Sequence, residues 1–454
     1  MSRVLLISSN TTIDPMPVYP LGMALIASSL VQAGHHVKQL DLILDPDRQF
    51  FHVAEAISEF DPDFIGVSIR NIDTVDSLSS QDTWYLCGIR ELLKHIQKLT
   101  SKPVILGGSA FSIMPEQILA FLNADFGIVG EGEILIRQLI HDILNDHDPP
   151  KIMYPSQPQM DANDFYSPLY EPVLAEYYFN HSGMLNYQTK RGCPYGCNYC
   201  SYPVIEGKKI RYQEPEFIVE NLMALKEKFG IDTVFFTDSI FNDPKDHYLK
   251  VAELMIRKNC GIRWAAYFRP EKITRDKLKI LIRSGLYAME IGSDAASDTT
   301  LAGMNKSYRV DTIFAMNEAC KKESLACAHF FIFGGADETR ATVLEGIKNI
   351  ERLESCAAFI FSGIRIFPHT GIHRIAIRQG VVLAEDTLLE PCYYVSPEVD
   401  KVRMDDTLKS AFKKRKDRFF PPEEGYMRMK AMKLFGFKGL LWDKAIHIQK
   451  LMGR

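Results

Sequence analysis

The chain has 454 residues, 46% hydrophobic and 24% charged, with a net charge of −4. That length allows two or three globular domains, and the slightly acidic balance argues against a general nucleic-acid partner. No apolar run reaches the roughly 18 residues that a transmembrane helix needs. The N-terminal run ends before Asp14 and Pro15, too short for an export signal, so the nine cysteines read as reduced and the expected location is the cytoplasm.

The first 145 residues alternate strand and helix. Apolar runs predict strands at 4–8, 37–42, 64–69, 104–106 and 126–129. Helical spacing predicts helices at 21–33, 53–60, 84–99, 115–122 and 133–144. Apolar strands in such an alternation imply a Rossmann-like, five-stranded parallel sheet covered on both faces. Its ligands should lie outside the carboxyl ends of the strands. The loops there contain Pro20 and Gly22, then Ser68, Arg70 and Asn71, then Gly107, Gly108 and Ser109, then Gly130 and Gly132. The glycines allow a bulky ligand close to the backbone. No G-x-G-x-x-G follows the first strand, which argues against a nicotinamide or flavin dinucleotide.

Residues 146–182 are proline-rich, with Pro149, Pro150, Pro155, Pro158, Pro168 and Pro172, and read as a linker. From 183 to 375 the alternation resumes. Strands are predicted at 184–189, 233–236, 263–266, 288–291, 329–333 and 359–366. Helices are predicted at 215–229, 244–259, 274–284, 310–322 and 340–353. Six strands with five helices suit a partial (β/α)6 barrel, whose chemistry would sit at the carboxyl ends of the strands. The first of these ends carries Cys193, Cys197 and Cys200, spaced C-x3-C-x2-C. Three thiolates on one loop can hold three irons of a 4Fe-4S cube and leave the fourth iron open. Two alternatives stand beside this: a zinc site completed by a distant histidine such as His181, and three buried free thiols.

Residues 376–454 read as a mostly helical, basic segment. Between 401 and 454 there are fifteen Lys or Arg against six Asp or Glu. Such a segment can bind a membrane surface or an anionic substrate, or it can be a helical cap covering the barrel.

The cysteine spacing, with Tyr199 just before the third cysteine, resembles the radical S-adenosylmethionine superfamily. The resemblance implies that Cys193, Cys197 and Cys200 bind the cluster, with Tyr199 packed over it. The open iron would then chelate S-adenosylmethionine, whose reductive cleavage releases a 5′-deoxyadenosyl radical. It further implies cofactor contacts from Asp238, from Glu290, Ser293 and Asp294, and from Gly334, Gly335 and Glu338. Asp294 stands where the family more often has glutamate, and His369-Thr370-Gly371 departs from the usual order. Helix N-capping is the competing role for Asp294 and Glu338.

The loops of the first domain, ahead of this motif, resemble the cobalamin-binding domain of cobalamin-dependent radical S-adenosylmethionine enzymes. The D-x-H-x-x-G motif that would bring histidine to cobalt is absent, and His35, His36, His52 and His95 lack its context. The resemblance therefore implies cobalamin with no histidine on cobalt, and Arg70 and Asn71 near its lower face. The competing role for Arg70 is an ion pair with Asp73 or Asp76. The implied activity is methylation of an unactivated carbon on a small-molecule or lipid-like substrate, with electrons from a flavodoxin- or ferredoxin-type donor. Bond-forming or rearranging chemistry without methyl transfer, a first domain that binds no cobalamin, and a non-catalytic iron–sulfur sensor are the other readings. The flanks of the cysteine motif resemble a subgroup tied to lipid biosynthesis.

Overall fold

The computed structural model describes residues 1–79, 84–155 and 165–452. The first unit contains β1 (Arg3–Ser8), α1 (Leu21–Gln32), β2 (His36–Asp41), α2 (Gln49–Phe60), β3 (Phe64–Ser68), α3 (Leu86–Leu99), β4 (Val104–Gly107), α4 (Ser109–Ile113), α5 (Pro115–Leu122), β5 (Phe126–Ile128), α6 (Gly132–Leu144) and β6 (Ile152–Met153). All its strands run parallel, in the order β2-β1-β3-β4-β5-β6. Val4, Leu5, Ile65 and Leu106 are fully buried, as strands covered by helices on both faces must be. The strand order reverses between β1 and β3, and a crevice opens there at the carboxyl edge.

The sheet has six strands, not the predicted five. The sixth lies inside the stretch read as a linker, because a two-residue strand leaves no periodic trace. Within the same stretch α7 (Pro172–Ser182) is a full helix. Pro172 occupies its first turn, Glu171 accepts from the Leu174 N–H at 2.9 Å, and Gly183 ends it in the left-handed region, an arrangement that suits proline before and glycine after a helix. Residues 156–164 of the expected linker, Pro158 among them, lie outside the described residues.

The second unit continues with β7 (Leu185–Tyr187), β8 (Lys190–Arg191), α8 (Tyr202–Ile205), β9 (Arg211–Tyr212), α9 (Pro215–Phe229), β10 (Thr233–Phe236), α10 (His247–Arg257), β11 (Arg263–Phe268), α11 (Arg275–Arg283), β12 (Leu286–Asp294), α12 (Asp298–Gly303), α13 (Val310–Lys322), β13 (Ala326–Phe333), α14 (Arg340–Arg352) and β14 (Ala357–Ser362). Then come β15 (Ile364–Arg365), α15 (Gly371–Arg378), β16 (Tyr393–Tyr394), α16 (Lys401–Phe412), β17 (Arg418–Phe419), α17 (Pro422–Leu434) and α18 (Trp442–Met452). The barrel sheet runs β17-β14-β13-β12-β11-β10-β7, all parallel. One predicted strand is cut short and another is broken in two. Residues 184–189 hold only β7, and the chain resumes as β8, paired antiparallel with β9. Residues 359–366 divide at Gly363, after which β15 pairs with β16.

The C-terminal segment is the largest departure. It supplies the seventh strand, β17, and α18 closes the barrel from below. Inward positions there are small: Ala265, Ala288, Ala328 and Ala357. They share one apolar cluster with Trp442, Ala445 and Ile446 of α18. Small side chains on the strands leave room for a helix to fill the barrel floor. The cap reading is thus the one the fold adopts for α18. Among the described residues no helix is long and apolar enough to cross a membrane.

Buried Arg418 fixes β17. Its guanidinium donates to the carbonyls of Cys356 at 2.8 Å, Leu353 at 2.5 Å and Ile350 at 3.3 Å, and it lies 3.2 Å from the Asp417 carboxylate. Arg418→Met would strand these buried acceptors. Removing one partner of a buried charged network costs about 3–5 kcal/mol. A urea transition followed by tryptophan fluorescence should shift to a lower midpoint, and an unchanged midpoint would show that β17 is not held by this side chain.

Candidate active site

The carboxyl edges of both sheets face one cavity of about 1230 Å³. This exceeds the roughly 300–1,000 Å³ of an ordinary small-molecule pocket. Pro20, Gly22, Ser68, Arg70, Asn71, Gly107, Gly108, Ser109, Gly130 and Gly132 all line it. Every residue expected near cobalamin therefore opens on the same space. Gly108 has φ 101°, and a Cβ there would come 2.5 Å from the Ile69 carbonyl oxygen. Only glycine fits that turn, which explains why the loop after β4 can lie so close to the loop after β3.

Arg70 stands open to the cavity. Enclosure by the surrounding protein pushes its pKa down. It does not pair with Asp73, because that carboxylate is buried against Arg365 of β15 at 2.7 Å. The Arg70 backbone carbonyl accepts from Ser109 Oγ at 2.9 Å, so the loop is fixed while the guanidinium is left for the cavity. No histidine is among the lining residues. His52 lies beside Asp45 and His95 beside the Phe50 carbonyl.

The cysteine loop leaves β8 through Gly192. Its φ is 93°, and a Cβ would sit 2.2 Å from the Lys209 carbonyl oxygen. The loop is held from several elements. The Gly192 N–H donates to Glu206 at 2.9 Å and the Cys193 N–H to the Gly207 carbonyl at 3.1 Å. Asn198 donates to the Gly303 carbonyl, and Asn305 donates to the Gly196 carbonyl, each at 2.6 Å. Burial pushes the Cys193 thiol up and the Cys200 thiol up to about 12. Lys306 Nζ lies 3.0 Å from Cys197 Sγ, and Arg269 Nη1 lies 3.9 Å from it. Buried thiols ionise when they bind a metal, and two cations beside Cys197 offset the charge this creates. Donor type, loop geometry and charge fit an iron–sulfur cube. His181 serves elsewhere: its Nδ1 donates to the Tyr177 carbonyl at 2.7 Å and its ring stacks on Tyr177. Among the described residues no three His, Cys, Asp or Glu side chains gather on a single-ion site.

The residues expected at S-adenosylmethionine divide into two groups. Asp294, in the left-handed region, accepts from Tyr199, from Tyr308 at 2.8 Å and from Lys306 at 2.5 Å. Burial opposes the Asp294 charge, but Lys306 prevails and holds its pKa below the ordinary range. Ser297 caps α12 instead, and Thr339 caps α14, so neither Asp294 nor Glu338 is the N-cap. Glu338 accepts from the N–H groups of Gly334 and of Gly335, the latter at 3.1 Å, and burial raises its pKa to about 7. These four residues and Tyr199 frame the strand exits beside the cysteine loop.

Asp238, Ser293 and Glu290 turn elsewhere. Asp238 is fully buried and accepts from the Thr189 and Lys190 N–H groups and from Lys190 Nζ at 2.9 Å. Ser293 is sealed against His329 Nδ1 at 2.8 Å, and burial lowers the pKa of that histidine to about 3. Glu290 faces the barrel interior and bonds Trp442. By alternation Glu290 and Asp294 would share a face, but the register of β12 slips between Gly292 and Asp294, and Asp294 sits in the left-handed region, so the two share a segment without sharing a site. Arg269 was not anticipated from the sequence. Its position just past β11, before Pro270, is the usable signal, since every barrel strand exit faces the site.

The two units meet through buried charges. Arg191 Nη2 lies 2.5 Å from Glu133, Arg211 pairs with Glu131, and Arg211 also donates to the Glu206 carbonyl at 2.7 Å. Burial alone would raise the Glu133 pKa, but Arg191 and Arg211 bring it below the ordinary value.

Residues 14–140 match the B12 binding domain and residues 187–350 match the radical SAM superfamily. A similar curated protein is the uncharacterized methyltransferase PH0819 of Pyrococcus horikoshii, 24% identical over 84% of this chain and 85% of that one. Another is the tryptophan 2-C-methyltransferase of Streptomyces laurentii, 21% identical over 80% of this chain and 73% of that one. Among solved structures, the radical S-adenosylmethionine methyltransferase TsrM from Kitasatospora setae, with cobalamin and a [4Fe-4S] cluster bound, superposes with a TM-score of 0.86. It is 20% identical and covers 99% of this chain and 98% of that one.

Arg191→Gln should destabilise the fold by about 3–5 kcal/mol at neutral pH, because Glu133 is left buried without its partner. The Glu133 pKa is depressed in the fold. The contribution of the pair is therefore full above the unfolded carboxylate value, about 4.3, and is lost as pH falls through the folded one. The gap between the urea midpoints of native protein and variant should be wide at about pH 7 and close as the solution is acidified below the depressed Glu133 value.

Proposed function

From a B12 binding domain followed by a radical SAM domain we propose that the chain is a cobalamin-dependent radical S-adenosylmethionine methyltransferase, and that it methylates an unactivated carbon of a small molecule held between its two units. The observation behind this reading is the single cavity shared by the edge of the first sheet, by Ser201 and Tyr202 after the cysteines, and by the barrel interior. When bound, the cluster and cobalamin supply reductive cleavage of S-adenosylmethionine and carriage of its methyl group.

The chain's own residues have separable tasks. Cys193, Cys197 and Cys200 would hold three irons, while Lys306 and Arg269 balance charge at Cys197. Asp294 keeps Lys306 charged and oriented, and Tyr199 packs against the same ammonium, 5.0 Å from ring centre to Nζ. The glycine-lined edge of the first sheet would receive the corrin, with Arg70 among the residues facing it. A guanidinium has no lone pair to give a metal, so Arg70 would occupy that edge without coordinating cobalt. Substrate would occupy the barrel side of the cavity. A lipid-like substrate taken at a membrane surface is the finer alternative, supported by exposed Leu434, Phe435 and Phe437 at and beyond the end of α17. The aromatic walls of the barrel favour a compact ring-bearing molecule.

Anaerobic reconstitution with hydroxocobalamin tests the first half of this reading: corrin absorbance should survive desalting, and its loss would overturn cobalamin dependence. Replacing Cys193, Cys197 and Cys200 together with alanine should remove bound iron and all 5′-deoxyadenosine formed with dithionite and S-adenosylmethionine. Continued cleavage by that variant would refute the cluster assignment.

Arg70 gives a spectroscopic prediction. Electron paramagnetic resonance of the cob(II)alamin-loaded protein should lack the superhyperfine triplet of an axial nitrogen, and Arg70→His should introduce it. A triplet in the unaltered protein would mean that a nitrogen reaches cobalt and that Arg70 does not guard it.

A further inference from the structure

The cavity continues past the cofactor edges into the barrel, where Phe235, Tyr267, Phe330, Phe359, Tyr426 and Trp442 form its walls. The strand register brings these walls together. Tyr267 lies opposite Glu290 and Phe330 opposite Phe359. The rings of Phe330 and Phe359 stack at 5.0 Å, and Phe235 meets Tyr267 edge-on at 4.8 Å. A buried carboxylate stands among them. Glu290 is 7% exposed, and its Oε1 accepts from Trp442 Nε1 at 3.0 Å. Among the described residues this is its one hydrogen-bond donor, and no Lys, Arg or His is paired with it. Burial raises its pKa to about 7.

A carboxylate enclosed by aromatic rings without a cation is costly. Anchoring Trp442 needs only an acceptor, which an uncharged amide would supply. The charge is therefore unexplained by the fold. What would complement it is a cation from outside, and the faces of Trp, Tyr and Phe attract the same charge. An anionic group would meet repulsion from both.

We propose that Glu290 is the substrate anchor, and that the inner end of the cavity takes a ring-bearing molecule carrying a protonated amine. The amine binds the free Glu290 oxygen while the ring stacks on the aromatic walls. The unreactive part of the substrate is thereby fixed at the barrel floor, with its other end toward the cofactors. This assignment rests on the reading of the cavity as a methyltransferase site, because it takes the inner end as the substrate side.

The test is calorimetric titration of the full-length, cofactor-reconstituted protein at a pH well above the Glu290 value. The probes are 2-phenylethylamine, its neutral counterpart 2-phenylethanol and the anionic 3-phenylpropanoate. The amine should bind about tenfold or more tighter than the alcohol, with the propanoate weaker still. Glu290→Gln keeps an acceptor for Trp442 and should bring amine and alcohol to equal affinity, with tryptophan fluorescence unchanged. No amine preference in the unaltered protein overturns the anchor. So does a preference that survives Glu290→Gln, or a variant that weakens amine and alcohol alike, since that marks a structural role. Corrin absorbance and iron content of the same samples separate the two claims. Protein that loads its cofactors but shows no amine preference refutes the anchor alone. Protein that fails to load them refutes the cavity reading, while the amine preference still decides the anchor.

Discussion

The ion pair between Arg191 and Glu133 is the constraint on which the arrangement of the site depends. Glu133 opens α6, directly after the glycine loop that follows β5. Arg191 ends β8, directly before the glycine that launches the cysteine loop. One buried contact therefore sets the distance between the edge of the first sheet and the three thiols. The neighbouring Arg211–Glu131 pair repeats the link from β9. On the far side Arg365 of β15 holds Asp73, three residues beyond Arg70. One apolar cluster runs through both units. Buried guanidinium–carboxylate pairs are directional as well as strong, so they fix orientation where apolar packing alone would tolerate sliding.

The same contacts carry chemical consequences. A glycine loop is permissive by itself, and Gly108, Gly130 and Gly192 would leave their loops mobile. Each is pinned by a side chain or backbone from another element: Ser112 Oγ accepts the Gly130 N–H at 2.8 Å, and Glu206 accepts that of Gly192. Close approach and rigidity are thus achieved together, one from the missing side chain and the other from neighbours. The Asp294–Lys306–Cys197 chain does the same for charge at the cluster loop.

Much of this was legible in the sequence, and the limits are physical. Strands and helices of the alternation carry period and length, so α5, α9, α13 and β10 fall where apolar spacing predicts. Two-residue strands carry neither, and β6, β8 and β17 are visible only through their partners. Pro172 illustrates a different failure: proline marks a helix start as readily as a linker, and only Gly183 eleven residues later separates the two. At the site, loop residues of the first sheet could be read from position alone, because every strand exit there faces one crevice. Asp238, Ser293 and Glu290 could not. Asp238 lies past the end of β10, Ser293 and Glu290 point to opposite faces of β12, and the partner of Glu290, Trp442, comes from a helix 152 positions away in the chain.

The alanine layer at the base of the barrel makes the depth of the chamber a property of the tail. Ala265, Ala288, Ala328 and Ala357 contribute no floor of their own, and Trp442, Ala445 and Ile446 supply it. The residues proposed to bind iron, sulfonium and corrin are encoded upstream of residue 376, whereas the floor of the barrel is encoded in α17 and α18. Selectivity can then diversify by exchange or drift of a terminal segment, on a catalytic frame that need not change.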